Sequence, residues 1–102
     1  MAKAPEECRT MAELRAEIDA FDAALVKGLA QRARYIDRAA ELKPGEGLPA
    51  RIGPRIEEVV AKVRARAVAE GADPDLLEKM WREMIAWSIA REESVMGPDG
   101  PD

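Results

Sequence analysis

Residues 10–43 decide the fold of this chain, and they read TMAELRAEIDAFDAALVKGLAQRARYIDRAAELK without a proline. Thr10 and Glu13 have the spacing of a capping box, in which a hydroxyl and a carboxylate satisfy free N–H groups where a helix starts. Pro44 disfavours helical geometry in the residue before it and so ends the segment. The apolar residues between these ends recur in steps of three and four along one helical face, at Met11, Leu14, Ile18, Phe21, Leu25, Leu29, Ile36 and Leu42. The stretch therefore predicts one helix of about 33 residues.

The length of this helix bears on the assembly. At 1.5 Å per residue it is roughly 50 Å long, whereas a compact domain of about 100 residues has a radius of gyration near 13 Å and a diameter of about 35 Å. The rest of the chain cannot cover such a helix. A second copy is the simplest partner, so the sequence predicts an obligate homodimer.

Glycine and proline mark the boundaries of the other elements. Residues 44–53 contain three glycines and two prolines, a composition typical of a loop. Pro54 suits the first turn of a second helix, and Gly71 suits its end. Asp73 as a cap, followed by Pro74, marks the start of a third helix.

The third helix should end near Met96. We therefore expect an all-α fold with one long helix and two shorter ones, forming a single helical domain over residues 10–96. A short polar arm, residues 1–9, precedes this domain. A Gly/Pro/Asp-rich tail, residues 97–102, follows it and is expected to be disordered.

Composition excludes several classes of protein. Lysine and arginine number 16 against 20 aspartates and glutamates, a net charge of −4 that argues against a general nucleic-acid binder. The chain has no histidine and one cysteine, Cys8, so neither zinc sites nor the usual catalytic triads are expected. No apolar run approaches membrane-spanning length and no signal peptide is evident, so the expected location is the cytoplasm, away from membranes.

Three cations are set into the long helix. Arg32 and Lys43 are eleven residues apart, close to three full turns, so both should point the same way. Arg15 lies seventeen residues before Arg32 and is rotated from it by roughly 100°. Arg32 and Lys43 can therefore share one pocket, while Arg15 is better placed to serve another.

The third helix carries a polar pair on an apolar stripe. Ser88 and Glu92 are four residues apart and lie one above the other. They run beside Trp81, Ile85 and Ile89, which is unusual for a purely structural helix. Taken singly, each of these polar residues could be an ordinary surface or tolerated residue. A functional interpretation therefore depends on the cations and this polar pair taken together.

That set resembles the all-helical chorismate mutases. Four cations at intervals of 17, 11 and 12 residues are followed by a serine and a glutamate four apart: Arg15, Arg32, Lys43, Arg55, Ser88 and Glu92. The phrase LRAEIDAFDAALV, residues 14–26, also fits this family. The Pro-Glu-Glu-Cys sequence at residues 5–8 resembles the arm of the isochorismate-pyruvate lyases, a branch of the same family.

The resemblance implies an intertwined homodimer with two equivalent sites. Each site would be built mostly from one chain, with Arg15 donated by the other. Arg15 and Arg32 would bind the two substrate carboxylates, for which a planar guanidinium gives a paired contact. Lys43 would contact a carboxylate and the ether oxygen.

The remaining roles follow from the same resemblance. Arg55 would support the ring side of the substrate. Glu92 would face the ether oxygen, with Ser88 beside it at a ring carboxylate or hydroxyl. The implied reaction is the rearrangement of chorismate to prephenate, a step of the shikimate pathway toward aromatic amino acids, and it implies no cofactor and no metal. Positioning and preorganised charge can drive such a unimolecular step.

Two alternatives stay open within the family, and one outside it. Ile52 and Ile56 stand where mutases often carry acidic residues, and an apolar residue after Arg55 is typical of the isochorismate-pyruvate lyases, which form salicylate and pyruvate. Glu92 stands where those lyases and many bacterial mutases have glutamine, whereas other mutases have glutamate, so this position argues against a lyase. A mutase acting on an aminated chorismate is a further candidate. The alternative of another class is a non-catalytic helical dimerisation module, whose cations would simply be exposed.

Overall fold

The computed structural model describes residues 3–97, and the predicted all-α fold is confirmed over this range. It contains one long and two shorter α-helices, with a short 3₁₀ turn before each of the first two. The predicted tail lies outside the described residues from position 98 onward. In chain order the elements are a turn at Pro5–Glu7, α1 at Met11–Leu42, a turn at Pro44–Glu46, α2 at Gly53–Glu70 and α3 at Pro74–Met96.

The chain divides into two compact units, one up to Arg34 and one from Tyr35 onward, so that α1 contributes to both. No helix within residues 3–97 is long and apolar enough to cross a membrane.

In the first unit, the start of α1 is capped in a way that differs in part from the predicted capping box. The Glu13 amide donates to the Thr10 hydroxyl at 3.1 Å, as predicted. The Glu13 carboxylate, however, accepts from the Arg9 amide at 3.1 Å and from the Lys3 ammonium at 2.9 Å. The turn at Pro5–Glu7 brings the arm back toward α1. The carboxylate therefore ties down the arm rather than the Thr10 amide.

Most of the apolar face predicted for α1 is exposed along the first unit, although Leu14 is half-buried. Phe21 is 65% exposed and Val26 is 66% exposed. The other large apolar residues with exposed surface in this unit are Met11, Ile18, Leu25 and Leu29. A contiguous apolar row of this kind usually marks an interaction surface.

In the second unit, α2 packs against α3, and the ends that join them are as predicted. Gly71 ends α2 with a φ of +77°, a left-handed conformation that glycine adopts without steric penalty. Asp73 caps α3, its carboxylate accepting from the amides of Asp75 at 2.9 Å and Leu76 at 3.4 Å. Small and β-branched residues form the buried core of this unit: Ala40, Ala50, Val60, Ala67 and Ile89.

A network of ion pairs links the surfaces of α2 and α3. Arg64 of α2 donates to Glu78 at 2.9 Å and to Asp75 at 3.0 Å. Arg82 of α3 donates to Glu78 at 2.7 Å and to Glu57 of α2 at 3.0 Å. Hydrogen bonds from Arg82 are the main reason that the pKa values of both Glu57 and Glu78 lie below their ordinary value of 4.5.

This network predicts a specific loss of stability in acid. Since the folded-state pKa values of Glu57 and Glu78 are lowered, their contribution is present above about pH 4.5 and is lost as the pH falls through the folded values. Arg82→Gln should lower the melting temperature at pH 7, and the gap to wild type should narrow at pH 3. Thermal melts followed by circular dichroism measure this.

Arg38→Gln is the matched control for this prediction, because Arg38 pairs with Glu41 at 3.6 Å within one helix, where both side chains are 63% exposed. Such a pair contributes little. A gap between Arg82→Gln and wild type that is the same at pH 7 and pH 3 would contradict the proposed origin of the effect.

The final turns of α1 are tied to α3 by a second pair. The Arg91 guanidinium donates to both carboxylate oxygens of Asp37, with Nη2 at 3.0 Å from Oδ2. The same guanidinium lies 5.3 Å from the centre of the Trp87 ring, within the range of a cation–π contact. The hydrogen bond from Arg91 lowers the pKa of the Asp37 carboxyl. These contacts connect the helix that Lys43 directly follows with the helix that carries Glu92.

Candidate functional site

Lys43 and Glu92 meet in the second unit, although 49 positions separate them in the chain. Lys43 directly follows α1, and Glu92 lies on α3, one turn before its end. The Lys43 ammonium donates to Oε1 of Glu92 at 2.5 Å, and Glu92 is 4% exposed. A charge-assisted contact of this kind, partly shielded from water, is stronger than a fully exposed ion pair.

The same ammonium holds the loop between α1 and α2. It donates to the main-chain carbonyl of Ala50 at 2.7 Å. The main-chain carbonyl of Lys43 in turn accepts from the amides of Glu46 at 3.1 Å and Leu48 at 2.9 Å. Gly47 permits this tight turn with a φ of +71°. The side-chain ammonium and the main-chain carbonyl of Lys43 therefore both stabilise the loop.

The Ala50 carbonyl is a site group that the sequence does not predict. A main-chain oxygen has no signature in the sequence, and the composition of residues 44–53 indicates only a loop. Ala50 is 4% exposed, which places its carbonyl in a buried part of the loop.

Ser88 lies one helical turn before Glu92, as the spacing predicted. Both residues are buried, and Ile89 between them belongs to the core. The Ser88 hydroxyl donates to the Met84 carbonyl at 2.9 Å, which leaves its oxygen able to accept a further hydrogen bond. Within residues 3–97 every buried side-chain nitrogen and oxygen has a partner.

Arg55 lies on the first turn of α2, where its guanidinium donates to Glu58 at 2.5 Å. There its side chain lines a groove of about 450 Å³. Lys43 and Glu92 contact each other and are not among the residues that line this groove. The floor of this groove is apolar, formed by Val59, Val63, Ala67, Ala72, Leu77 and Trp81. Lys62, Arg66 and Glu70 complete its lining.

The other two predicted arginines lie in the first unit. Arg15 is exposed on α1, and Arg32 is half-buried near the end of that unit. Their roles as carboxylate ligands stay predictions.

Ile52 and Ile56 flank the start of α2 and are both half-buried. Ile52 has an extended conformation and occupies the cap position of α2 without a side-chain hydrogen bond. Neither side chain can accept a hydrogen bond from a substrate hydroxyl. The two positions therefore offer an apolar surface, as the sequence implied.

The Lys43 pair has the properties of an oxygen-binding site. An ammonium carries three N–H donors, and two of them are engaged by Glu92 and Ala50. The third donor has no partner among residues 3–97. Within the same range no three histidine, cysteine or acidic side chains are grouped as metal ligands would be. The fold and this pair define an all-helical protein with a half-buried cation that can bind an anionic or partly charged oxygen.

Comparisons with known proteins identify the class more closely. The chorismate mutase type II family matches residues 14–93. Because the match covers most of the chain, the protein belongs to this family, and the resemblance seen in the sequence is confirmed.

Two relatives show how far the similarity extends. An isochorismate pyruvate lyase of Pseudomonas aeruginosa is 32% identical over 94 residues, which are 88% of this chain and 88% of the lyase. The T-protein of Enterobacter agglomerans is 35% identical over 79 residues, which are 78% of this chain and 21% of the T-protein. The chain thus spans only a small part of the T-protein, but nearly the whole lyase.

Proposed function

We propose that the protein is a chorismate mutase, which rearranges chorismate to prephenate. The observation that carries this proposal is the contact between half-buried Lys43 and buried Glu92, in which the ammonium has one N–H donor without a partner among residues 3–97. The family match supports an enzyme of this class.

The chemistry suits such a pair. In this rearrangement the ether C–O bond breaks while a C–C bond forms, and no atoms enter or leave. The ether oxygen gains negative charge in the transition state, so a fixed N–H donor binds the transition state better than the substrate. The Ala50 carbonyl and Glu92 hold the Lys43 ammonium in place, so little reorganisation is needed when that charge develops.

The other predicted residues complete the proposal. Arg15 and Arg32 bind the two substrate carboxylates, because a guanidinium matches the fork of a carboxylate. Arg55 supports the ring side of the substrate. For this its guanidinium must leave the Glu58 carboxylate and contact the substrate instead. Ser88 accepts from a ring hydroxyl beside Glu92, or its O–H leaves the Met84 carbonyl to donate to a ring carboxylate.

We further propose that the working form is a homodimer in which Arg15 comes from the partner chain. The exposed apolar row of α1 supports this, since single folded chains seldom leave such a row in water. The apolar groove between α2 and α3 is a second surface that a partner chain can cover. Three cations lie along its lining: Arg55, Lys62 and Arg66. A helix with acidic flanks would fit it, and α1 carries Asp19 and Asp22 beside its apolar face.

A second candidate function is cleavage of isochorismate to salicylate and pyruvate. The match to the Pseudomonas aeruginosa lyase over 88% of both chains favours it. So does Ile56, which leaves no carboxylate next to Arg55 for a ring hydroxyl. Glu92 favours the mutase.

The test is to incubate the protein with chorismate and, separately, with isochorismate, and to identify the products by chromatography and mass spectrometry. We expect prephenate from chorismate as the faster reaction. Lys43→Met should reduce it by about 100-fold or more, the scale of losing one such donor. Lys79→Met, at an exposed position on α3, should leave it unchanged.

Faster release of salicylate and pyruvate from isochorismate would establish the lyase instead. A non-catalytic dimerisation module would give neither product and would release no heat with a bicyclic dicarboxylate analogue of the transition state. That result would overturn both enzymatic functions.

A further inference from the structure

The loop between α1 and α2 contributes to the Lys43 site through its main chain. We propose that the carbonyl of Ala50 is a positioning group, which aims the Lys43 ammonium so that its third N–H meets the substrate oxygen. The inference rests on the proposed function, since it assigns the cause of Lys43's orientation in that reaction.

Lysine needs such a group more than arginine would. Its ammonium sits on a flexible four-carbon stem and carries a point charge without a fixed donor plane. One hydrogen bond to Glu92 leaves the ammonium free to turn about that bond. A second acceptor, the Ala50 carbonyl at 2.7 Å, restricts this rotation and so fixes where the remaining N–H points.

The loop is built to keep this carbonyl in place. The amide of Leu48, two residues before Ala50, donates to the Lys43 carbonyl at 2.9 Å. The Ala50 side chain is 4% exposed, so it anchors the loop in the core of the second unit. The main-chain hydrogen bond of Leu48 and the burial of the Ala50 side chain therefore fix the position of this carbonyl without a contribution from Glu92.

A change of one backbone atom tests this without altering any side chain. Replacing Arg51 by its α-hydroxy acid turns the Ala50–Arg51 peptide bond into an ester, whose carbonyl is a weaker hydrogen-bond acceptor. The matched control replaces Ile52 by its α-hydroxy acid, which weakens the Arg51 carbonyl one residue later. Both proteins keep every side chain and lose one loop N–H.

We expect the ester after Ala50 to lower kcat by about fivefold to tenfold, with a smaller change in KM, because the loss falls on transition-state binding. The control ester should stay within about twofold of wild type. Equal effects of the two esters on kcat would overturn the proposal, since both then act by loosening the loop.

A second readout does not depend on turnover. Lys43 should react slowly with an amine-directed acetylating reagent, and the ester after Ala50 should speed its labelling about fivefold, measured by mass spectrometry of the peptide containing Lys43. The control ester should not. Equal labelling of Lys43 in both esters would overturn the hydrogen bond between Lys43 and the Ala50 carbonyl. A wild-type protein that is inactive on both chorismate and isochorismate would instead overturn the proposed function, and with it the catalytic role of this carbonyl.

Discussion

A chain carrying Arg15→Ala and a chain carrying Arg32→Ala should each be nearly inactive alone and should recover about one quarter of wild-type activity when mixed. Each substitution removes one partner of a charged carboxylate contact, which costs about 2–5 kcal/mol, or roughly 30-fold to several thousand-fold in kcat/KM. If Arg15 acts across the dimer, half of the randomly mixed dimers hold both lesions in one site and none in the other.

The control for this experiment is a mixture of Arg32→Ala with Lys43→Ala. The proposal assigns both residues to the site of their own chain, so every site in the mixed dimer carries a lesion and activity should not return. Sedimentation and mass spectrometry establish that dimers form and exchange chains. Absence of recovery in the Arg15→Ala mixture, with exchange proven, would place Arg15 and Arg32 in the same chain's site. A well-folded monomer at micromolar concentration would exclude the dimer.

Substitution of Glu92 should have the second large effect, and its size should depend on the replacement. Glu92→Ala removes the acceptor of the Lys43 ammonium and any group facing the ether oxygen, so kcat should fall by about 10²–10³, as for loss of an oxyanion donor. Glu92→Gln keeps an oxygen that can accept from Lys43 and adds an N–H that can donate to the ether oxygen. It should retain activity within about tenfold of wild type, since the contact with Lys43 survives and the ether oxygen gains a donor.

Glu93→Ala is the matched control, because Glu93 is the neighbouring residue on α3 and is only half-buried. Its activity should equal that of the wild type. The role assigned to Glu92 would be wrong if Glu92→Gln were as inactive as Glu92→Ala while both proteins kept the wild-type helical content. The measurement is steady-state turnover of chorismate.

The fold was predictable because each helix end has a local cause. Pro44, Gly71 and the Asp73–Pro74 pair act on their own segment of backbone, so their effect can be inferred without knowing the rest of the structure. The Glu13 carboxylate was less predictable. It accepts from Arg9 and Lys3 rather than from Thr10, because the arm turns back onto α1 and offers it other donors.

The site was predictable only in part. The helical spacing of Ser88 and Glu92 indicates that they share a face, but their spacing alone does not bring Lys43 to them. That contact joins residues 49 positions apart and was implied only by the family resemblance. The Ala50 carbonyl could not be predicted at all, because its place depends on the path of a loop rather than on the identity of a side chain.

The connection between α2 and α3 also has a consequence for how the chain folds. It runs from Gly71 to Asp73, so the two helices form a local hairpin. Closing so short a loop loses little chain entropy and takes far less time than bringing distant segments together. We expect α2 and α3 to pair early, whereas the contact between Lys43 and Glu92, which are 49 positions apart, forms later.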